Sequence, residues 1–526
     1  MANETQMPTL LQKTIDKTFS ASSDQLLKLV KSPFLRNTII REAERFMKRS
    51  LKKTLADPNT FPGIAEDRTA MSLGIIGSME RALQPGRLSD SYLDGVLHLL
   101  VKTLFIDRGD MNQRKRFEAE FGQPSPSFIL VSPTKACNLH CIGCYADSDQ
   151  RNLKLEWDIV DRLVDDAKTL WGDRFIVISG GEPFAYKSNG KTIVDLFEEQ
   201  KDCFFMVYTN GTLITEEISK RLSRAGNVLL CISVEGWKKR TDERRGEGVF
   251  DKILQAMELL KNDGVPFGIS LTATRYNAEE ILSDEFIDYF IDKGALFAWL
   301  FQYMPIGRAF TLDLMVTPEQ RVWMWKRSWE IVHEYKFFLA DFWNHGTTVD
   351  GCLSAGGHGN GGYFHIDWNG AVSPCVFVPY SPVNIKDIYA NGGNLNDVWK
   401  HPFFQSIRDW QCDYKNKNRN GLTPCPNRDH HDELEVLLRK YEPEPTDANA
   451  AETLIDPEYT QGLVAYNRKL EALTKNIWET HYLHRKTKTT ELFSPLPEIP
   501  LPKVEEEIKE KKEEVSFISA EELPTE

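Results

Sequence analysis

Three cysteines lie within eight residues of one another in the segment 135–145, which reads KACNLHCIGCY. Cys137, Cys141 and Cys144 have the spacing C-x3-C-x2-C and directly follow a short apolar run. A structural zinc site needs four ligands and usually contains paired C-x2-C groups. Three thiolates can instead bind three irons of a cubane [4Fe–4S] cluster. The fourth iron then has no protein ligand, which suits the binding of a cofactor or substrate better than simple electron transfer.

A second set of cysteines follows in the last third of the chain. Its members are Cys352, Cys375, Cys412 and Cys425. The segment 351–370 predicts a β-hairpin, and Cys375 closes a G-x4-C sequence directly after it. Four thiolates would suffice for one more [4Fe–4S] cluster, although the later two cysteines are also interpretable as ordinary residues. Cys203 and Cys231 lie on predicted strands, where a buried core thiol is the better interpretation.

Short β-rich runs alternate with amphipathic helical stretches around the first cysteine motif. Strands are predicted at 128–131, 175–178, 204–208, 228–234, 267–272 and 297–303. Helices are predicted between them, for example at 157–170 and 250–262. Such alternation predicts βαβ units and a parallel sheet. The fold class is therefore α/β, a partial (β/α)6 TIM-like barrel whose active site lies at the carboxyl ends of the strands.

The rest of the chain divides by composition into four further regions. Residues 1–122 predict a helical N-terminal region, and 123–310 contain the barrel core. A small Cys-containing domain is expected at 311–440, followed by a C-terminal helix within 441–485. The acidic, Pro-rich tail 486–526 has few apolar residues and is expected to be disordered.

The first cysteine motif resembles the cluster motif of the radical S-adenosylmethionine (SAM) superfamily, and the ends of the later predicted strands agree with that family in order. The matching segments are SGGEP at 179–183, TNGT at 209–212, SVE at 233–235, TDERRGEGVF at 241–250 and YMPIGR at 303–308. The resemblance covers about residues 126–310. Two positions depart from the family: Gly143 stands where an aromatic residue is frequent, and Thr241 where a histidine is frequent.

This resemblance implies a cofactor, a chemistry and a set of contacts. The open iron would chelate the methionine part of SAM. One electron, from a flavodoxin- or ferredoxin-type reductant, would then release a 5′-deoxyadenosyl radical that abstracts hydrogen from a substrate. The GGEP turn would contact the amino group of SAM, Arg245 its carboxylate, and Ser233 and Glu235 its ribose. The full set of implied SAM contacts is Gly180, Gly181, Glu182, Pro183, Asn210, Ser233, Glu235, Arg245, Thr272 and Asn277.

The second cysteine set resembles the C-terminal extensions called SPASM and twitch domains, which hold auxiliary [4Fe–4S] clusters. The tight C-x2-C groups of a full SPASM pattern are absent, and four cysteines allow one auxiliary cluster but not two. The resemblance therefore implies one auxiliary cluster in this region.

Charge and composition exclude some classes of function. The net charge of −13 argues against a nucleic-acid binder. No apolar run is long enough to span a membrane, and the N-terminus lacks a secretory signal, so we expect a cytoplasmic protein. Residues 1–53 nevertheless carry eleven basic against five acidic side chains, with Lys48, Arg49, Lys52 and Lys53 close together. This segment predicts either peripheral association with the inner membrane surface or a solvated helix face.

Three functions remain open at this point. Radical SAM proteins with such extensions are often maturases that modify a peptide or protein. The basic N-terminus and the aromatic-rich stretch after the barrel would instead fit radical modification or coupling of lipid acyl chains. A non-catalytic iron–sulfur protein is the third hypothesis, in which the SAM-contacting residues would have no purpose. Trp323, Trp325 and Trp329 would line an apolar substrate cavity or, more often for such a cluster, belong to the core.

Overall fold

The computed structural model of the protein describes residues 32–57, 60–101, 108–149, 153–358, 361–485 and 493–500. The N-terminal part of the basic segment, residues 1–31, and the tail residues 486–492 and 501–526 lie outside these ranges. No helix in the described ranges is both long and apolar enough to cross a membrane.

All six predicted strands are present, and they form one parallel sheet. They are β1 (Phe128–Val131), β2 (Phe175–Ile178), β3 (Phe204–Thr209), β4 (Val228–Val234), β5 (Phe267–Ala273) and β6 (Phe297–Gln302). Each strand pairs in parallel with the next one along the chain. The strands alternate with helices, which confirms the predicted α/β barrel class, and their carboxyl ends meet at one rim.

Four further strands from the region 311–440 extend this sheet. They are β7 (Phe338–Asp341), β8 (Tyr363–Ile366), β9 (Ala371–Ser373) and β10 (Val383–Asn384). β7 pairs in parallel with β6, and β8 in parallel with β1, so that the order is β10-β9-β8-β1-β2-β3-β4-β5-β6-β7. β8 and β9 form a hairpin, but its second strand lies just beyond the segment 351–370 in which a hairpin was predicted. The cysteine-containing region is thus continuous with the barrel, because its strands pair with the otherwise open edges of β1 and β6.

Helices surround the sheet. Before the barrel lie α1 (Pro33–Thr54), α2 (Pro62–Ala82), α3 (Asp90–Val101) and α4 (Arg108–Phe121). Within it lie α5 (Trp157–Trp171), α6 (Ile193–Glu199), α7 (Glu216–Ala225), α8 (Lys238–Arg245), α9 (Val249–Asn262), α10 (Ala278–Ile281) and α11 (Asp284–Lys293). After it follow α12 (Pro318–Tyr335), α13 (Ile385–Ala390), α14 (Leu395–Trp399), α15 (Pro402–Asn416), α16 (His431–Tyr441), α17 (Ala448–Ile455) and α18 (Pro457–Ile477).

Helix α2 runs alongside β7 in the opposite direction. Near its end, Ser78 Oγ accepts a hydrogen bond from the backbone of Phe338, the first residue of β7, at 2.9 Å. Near its start, Asp67 Oδ2 accepts one from Thr347 Oγ1, beyond the end of β7, at 2.6 Å. The helix approaches closely because Gly77 has no side chain: a Cβ there would lie 2.2 Å from the Lys336 carbonyl oxygen.

Part of the tail expected to be disordered packs on the body of the protein. In the described segment 493–500, the Phe493 ring stacks on His333 with 4.7 Å between ring centroids. The backbone N–H of Ser494 donates to Glu66 Oε2 at 3.2 Å. The expectation therefore does not hold for this segment, because Phe493, Leu496 and Ile499 pack against the core.

Candidate active site

The loop after β1 carries the first three cysteines along the rim of the barrel. Backbone hydrogen bonds tie it to neighbouring segments, including one from Arg308 N to the Cys144 carbonyl oxygen at 3.0 Å. Gly143 has a φ of +62°, and a Cβ there would lie 2.7 Å from the Tyr303 ring. The aromatic residue that the family often has at this position is therefore replaced by a glycine that makes room for Tyr303.

Cys137, Cys141 and Cys144 all face one cavity at this rim. Leu139 N donates to Cys137 Sγ at 3.4 Å, and Arg245 Nη1 lies 4.0 Å from Cys141 Sγ. Burial raises the pKa of Cys137 to about 12, so the thiolate forms readily only with a bound cation. No three metal-ligating side chains of the described residues converge on one ion. In a cubane, each of the three thiolates would bind a different iron.

The GGEP turn packs directly beneath the cysteine loop. A Cβ on Gly181 would lie 2.3 Å from the Ala136 carbonyl oxygen, so only glycine allows this approach. The Glu182 carboxylate is fully buried and accepts hydrogen bonds from Thr209 Oγ1 at 2.7 Å and from Asn210 N at 2.8 Å. Burial raises its pKa. Glu182 thus links the ends of β2 and β3.

A buried carboxylate with two arginines lies after β4. Glu235 is 1 % exposed, and its oxygens accept hydrogen bonds from Arg244 Nη1 and from Arg245 Nε, the latter at 3.0 Å. Asn277 Nδ2 donates to the Glu235 carbonyl oxygen at 2.8 Å and to that of Thr272 at 3.1 Å. Asn277 therefore fixes the ends of β4 and β5 relative to each other.

The ten implied SAM contacts fall into two groups in the structure. The cavity is lined by Gly180, Gly181, Asn210, Ser233, Arg245 and Thr272. Glu182, Glu235 and Asn277 do not line it, but each is hydrogen-bonded to a lining residue. Pro183 does not line it either.

Three cysteines of the second set line the same cavity. These are Cys352, Cys375 and Cys425. Tyr363 Oη lies 2.8 Å from Cys375 Sγ, and Arg428 N donates to Cys425 Sγ at 3.4 Å. Burial raises the pKa of all three thiols, to about 12 for Cys375, and the charges of neighbouring cysteines in the set raise it further for Cys375 and Cys425.

Cys412, the fourth predicted auxiliary ligand, is placed differently from the other three. It lies on α15, is not part of the cavity wall, and has Asp409, Lys415 and Arg408 as its charged neighbours. The structure thus brings three of the four predicted auxiliary ligands together. Sequence spacing could not separate Cys412 from Cys425, because only the packing of α15 directs the former away.

The remaining walls of the cavity are largely aromatic. The cavity has a volume of about 600 Å³ and is bounded by Trp299, Phe301, Phe342, Trp343 and Phe377, among others. Trp323, Trp325 and Trp329 take no part in it, and the last two are buried in the core. The period-2 pattern of β6, with Trp299 and Phe301 on one face, was the signal that could have predicted this wall.

Helix α2 supplies a wall that sequence analysis missed. Arg68, Met71, Ser72 and Ile75 line the cavity, and their spacing of three, one and three residues places them on one helix face. The signal was the helical period itself, but nothing in the sequence indicates that this face meets the barrel interior.

Two family models match the chain. The radical SAM superfamily model matches residues 131–284, and the SPASM model, described as an iron–sulfur cluster-binding domain, matches residues 358–427. The chain is a radical SAM enzyme with a SPASM domain. These domains imply SAM, a [4Fe–4S] cluster and auxiliary cluster binding. The two sets of three cysteines that line one cavity fit these cofactors.

This radical SAM enzyme is similar to several characterised proteins. It is 26% identical over 332 residues to the AdoMet-dependent heme synthase of Methanosarcina barkeri, covering 55% of this chain and 89% of that protein. It is 29% identical over 306 residues to the mycofactocin maturase MftC of Mycolicibacterium smegmatis, covering 56% of this chain and 75% of that one. The crystal structure of Streptococcus suis SuiB bound to S-adenosylmethionine has 18% identity and a TM-score of 0.46, covering 57% of this chain and 72% of that one.

Proposed function

We propose that this enzyme cleaves SAM reductively at the cluster held by Cys137, Cys141 and Cys144 and abstracts a hydrogen atom from an unactivated carbon of an apolar substrate. The supporting observation is that one cavity is lined by both sets of cysteines, by Arg245 and by an aromatic wall. When bound, the reduced cluster and SAM supply the one-electron cleavage that yields methionine and the hydrogen-abstracting 5′-deoxyadenosyl radical. The electron comes from a flavodoxin- or ferredoxin-type reductant.

The protein's own residues bind and orient the cofactor. Arg245 presents a fixed guanidinium to the SAM carboxylate, since Glu235 holds it from behind. Asn210, Ser233 and Thr272 offer amide and hydroxyl groups to the polar parts of SAM. Tyr303, which lines the cavity beside Gly143, offers an aromatic face to adenine.

The aromatic wall protects the chemistry from water. Trp299, Phe301 and Phe377 leave few polar groups to hold solvent near the reacting carbon. Excluding water prevents side reactions of reactive intermediates.

The second set of cysteines, which lines the same cavity, supports an auxiliary cluster there. Cys352, Cys375 and Cys425 would leave one iron without a thiolate from this set. A substrate held between the two clusters would be within reach of both, so that the auxiliary cluster can bind it or accept an electron from it.

Two substrate classes are each supported by one observation. A peptide is supported by the similarity to mycofactocin maturase MftC. A lipid acyl chain is supported by the aromatic and aliphatic walls of the cavity, which match hydrocarbon better than a peptide backbone.

Anaerobic, reconstituted and reduced protein tests the proposal directly. It should convert SAM to 5′-deoxyadenosine and methionine, and the Cys137→Ala, Cys141→Ala, Cys144→Ala triple variant should not. Deuterated peptide and lipid extracts from cells are then added separately. An extract that contains the substrate should give deuterated 5′-deoxyadenosine, which mass spectrometry detects. Cleavage retained in the triple variant would refute the proposed function.

A further inference from the structure

The cavity extends well below the rim that carries the cysteines. Phe128, Phe175 and Phe338 are the first residues of β1, β2 and β7, and all three line it. Each of these strands has four residues, so their first residues lie roughly 10 Å below their last ones. We call the part bounded by Phe128, Phe175, Trp299, Phe338 and Ile75 the lower cavity.

The lower cavity contains very few hydrogen-bonding groups. Its polar side chains, among the described residues that line it, are Ser72, Ser270, Trp299 and Tyr363, and the Tyr363 hydroxyl already lies 2.8 Å from Cys375 Sγ. The indole N–H of Trp299 is buried and has no hydrogen-bond partner among the described residues. A peptide inserted here would bury backbone N–H and C=O groups without enough partners, which is costly. A hydrocarbon chain carries no such groups.

The lower cavity meets an exposed apolar edge on α2. Ile75 lines the cavity and is 42 % exposed. Met79, one helical turn further on, is 41 % exposed but does not line the cavity, so it lies outside the edge formed by Ile75. α2 runs beside β7, at the edge of the parallel strands, where no further strand pairs with β7 in the described sheet. This edge therefore offers an entrance from the protein surface.

We propose that the lower cavity binds the hydrocarbon chain of a membrane lipid, which enters beside Ile75 and points toward the SAM site. This deepens the proposed function and rests on it, since it places an aliphatic C–H bond of the substrate within the radical's cavity. The bound chain gains free energy from every methylene that leaves water, without any polar group to satisfy.

A binding measurement on the full-length reconstituted protein, without reductant, tests the proposal. The probe is a fatty acid with a fluorescent conjugated chain, displaced by saturated fatty acids of increasing length. Affinity should rise about fourfold per added methylene until the lower cavity is filled. Affinity that is independent of chain length would overturn the proposal. Displacement by apolar peptides but not by phospholipid would assign the cavity to a peptide and overturn it as well.

Two matched variants on α2 locate the entrance. Ile75→Glu places a carboxylate in the cavity wall and should weaken probe binding at least about tenfold. Met79→Glu changes a side chain of equal exposure on the same helix and should leave binding unchanged. Equal binding by both variants would contradict the entrance beside Ile75.

A third variant fills the lower cavity from within. Ala340→Phe adds a ring to the β7 wall and should abolish probe binding while SAM, bound at the rim, still binds. Intact SAM binding shows that this variant is folded. Unchanged probe affinity in this folded variant would overturn the inference and leave the proposed function intact. Failure of the wild-type protein to cleave SAM would instead refute the proposed function.

Discussion

At the residue scale, Arg245 joins the proposed SAM site to the proposed cluster site. Its Nε donates to Glu235 Oε1 at 3.0 Å, and its Nη1 lies 4.0 Å from Cys141 Sγ. Burial alone would lower the pKa of Arg245, but the charges of Glu235 and Cys141 raise it overall. The guanidinium therefore stays charged in a buried position, where a carboxylate ligand gains most from it.

The Arg245→Ala variant should bind SAM more weakly. Loss of one charge-assisted contact costs about 1.5–3 kcal/mol, which corresponds to roughly a 10- to 150-fold higher Kd. Equilibrium titration of SAM into anaerobic, reconstituted protein measures this change. Arg240→Ala is a matched control, since Arg240 lies on the same helix but pairs with Glu243 and Glu280 outside the cavity. Equal affinities in the two variants would show that Arg245 does not contact SAM.

The auxiliary ligands give a second prediction at this scale. Wild-type protein should hold about eight irons per chain if both clusters are cubanes. Cys412→Ala should retain that content, because Cys412 lies outside the cavity, whereas Cys425→Ala should lose about four irons. Iron analysis together with Mössbauer spectroscopy measures both. Loss of the auxiliary signal in Cys412→Ala would return this residue to the ligand set.

At the element scale, α2 connects the helical N-terminal region to the barrel through a buried acid. Asp67 Oδ2 accepts hydrogen bonds from Thr347 Oγ1 at 2.6 Å and from Tyr482 Oη at 2.9 Å. Burial raises the pKa of Asp67 from 3.8 to about 7, against the opposing effect of these two donors. The carboxyl group is thus protonated in the folded protein over a range in which it would be ionised in the unfolded chain.

This shift predicts a pH-dependent stability. Between about pH 4 and pH 7 the folded state binds the extra proton, so the free energy of unfolding falls as pH rises and levels off above pH 7. Asp67→Asn, which mimics the neutral acid, should remove this fall and raise stability at pH 8 by at most about 4 kcal/mol. Urea unfolding at pH 5 and pH 8 measures the effect.

The control is a second acid that contacts α2 and whose pKa is shifted in the opposite direction. Asp350, which pairs with Arg68 of α2 and with Lys415, has a lowered pKa, because these cations outweigh its burial. Asp350→Asn should therefore lower stability at pH 8. An Asp67→Asn variant that follows the same direction would contradict the assignment of a neutral Asp67.

At the scale of the whole molecule, the proposed lipid substrate requires contact with a membrane surface. α1 carries Lys48, Arg49, Lys52 and Lys53 near its end and packs against α2, which holds the proposed entrance. Phe34 and Ile39 at the start of α1 are 74 % and 40 % exposed. Basic residues near an anionic surface contribute about 1 kcal/mol each, so this helix can hold the protein at a membrane reversibly.

We predict that the protein binds vesicles that contain anionic lipid at low salt and is released at high salt. Changing Lys48, Arg49, Lys52 and Lys53 to Glu should abolish this binding in a co-sedimentation experiment. The same charge reversal at Arg114, Lys115 and Arg116 on α4 is the control and should have little effect. Protein that stays in the supernatant with anionic vesicles at low salt would favour the peptide substrate.

The sequence by itself determined the barrel strands and the chemistry at their ends. β-rich runs of four to seven residues between amphipathic helices were sufficient to predict β1 to β6, because local hydrophobic periodicity reports directly on secondary structure. Cys137, Cys141 and Cys144 could be proposed as cluster ligands from the sequence because all three lie within one short loop.

The tertiary structure decided which distant residues share a site. Three features depend on packing between segments that are far apart in sequence. They are the separation of Cys425 from Cys412, the pairing of β7 and β8 with the barrel edges, and the cavity wall supplied by α2. The aromatic lower cavity likewise appears only when inward-facing positions of several strands are brought around one axis. Periodicity shows which face of a strand or helix is apolar. It does not show which other element packs against that face.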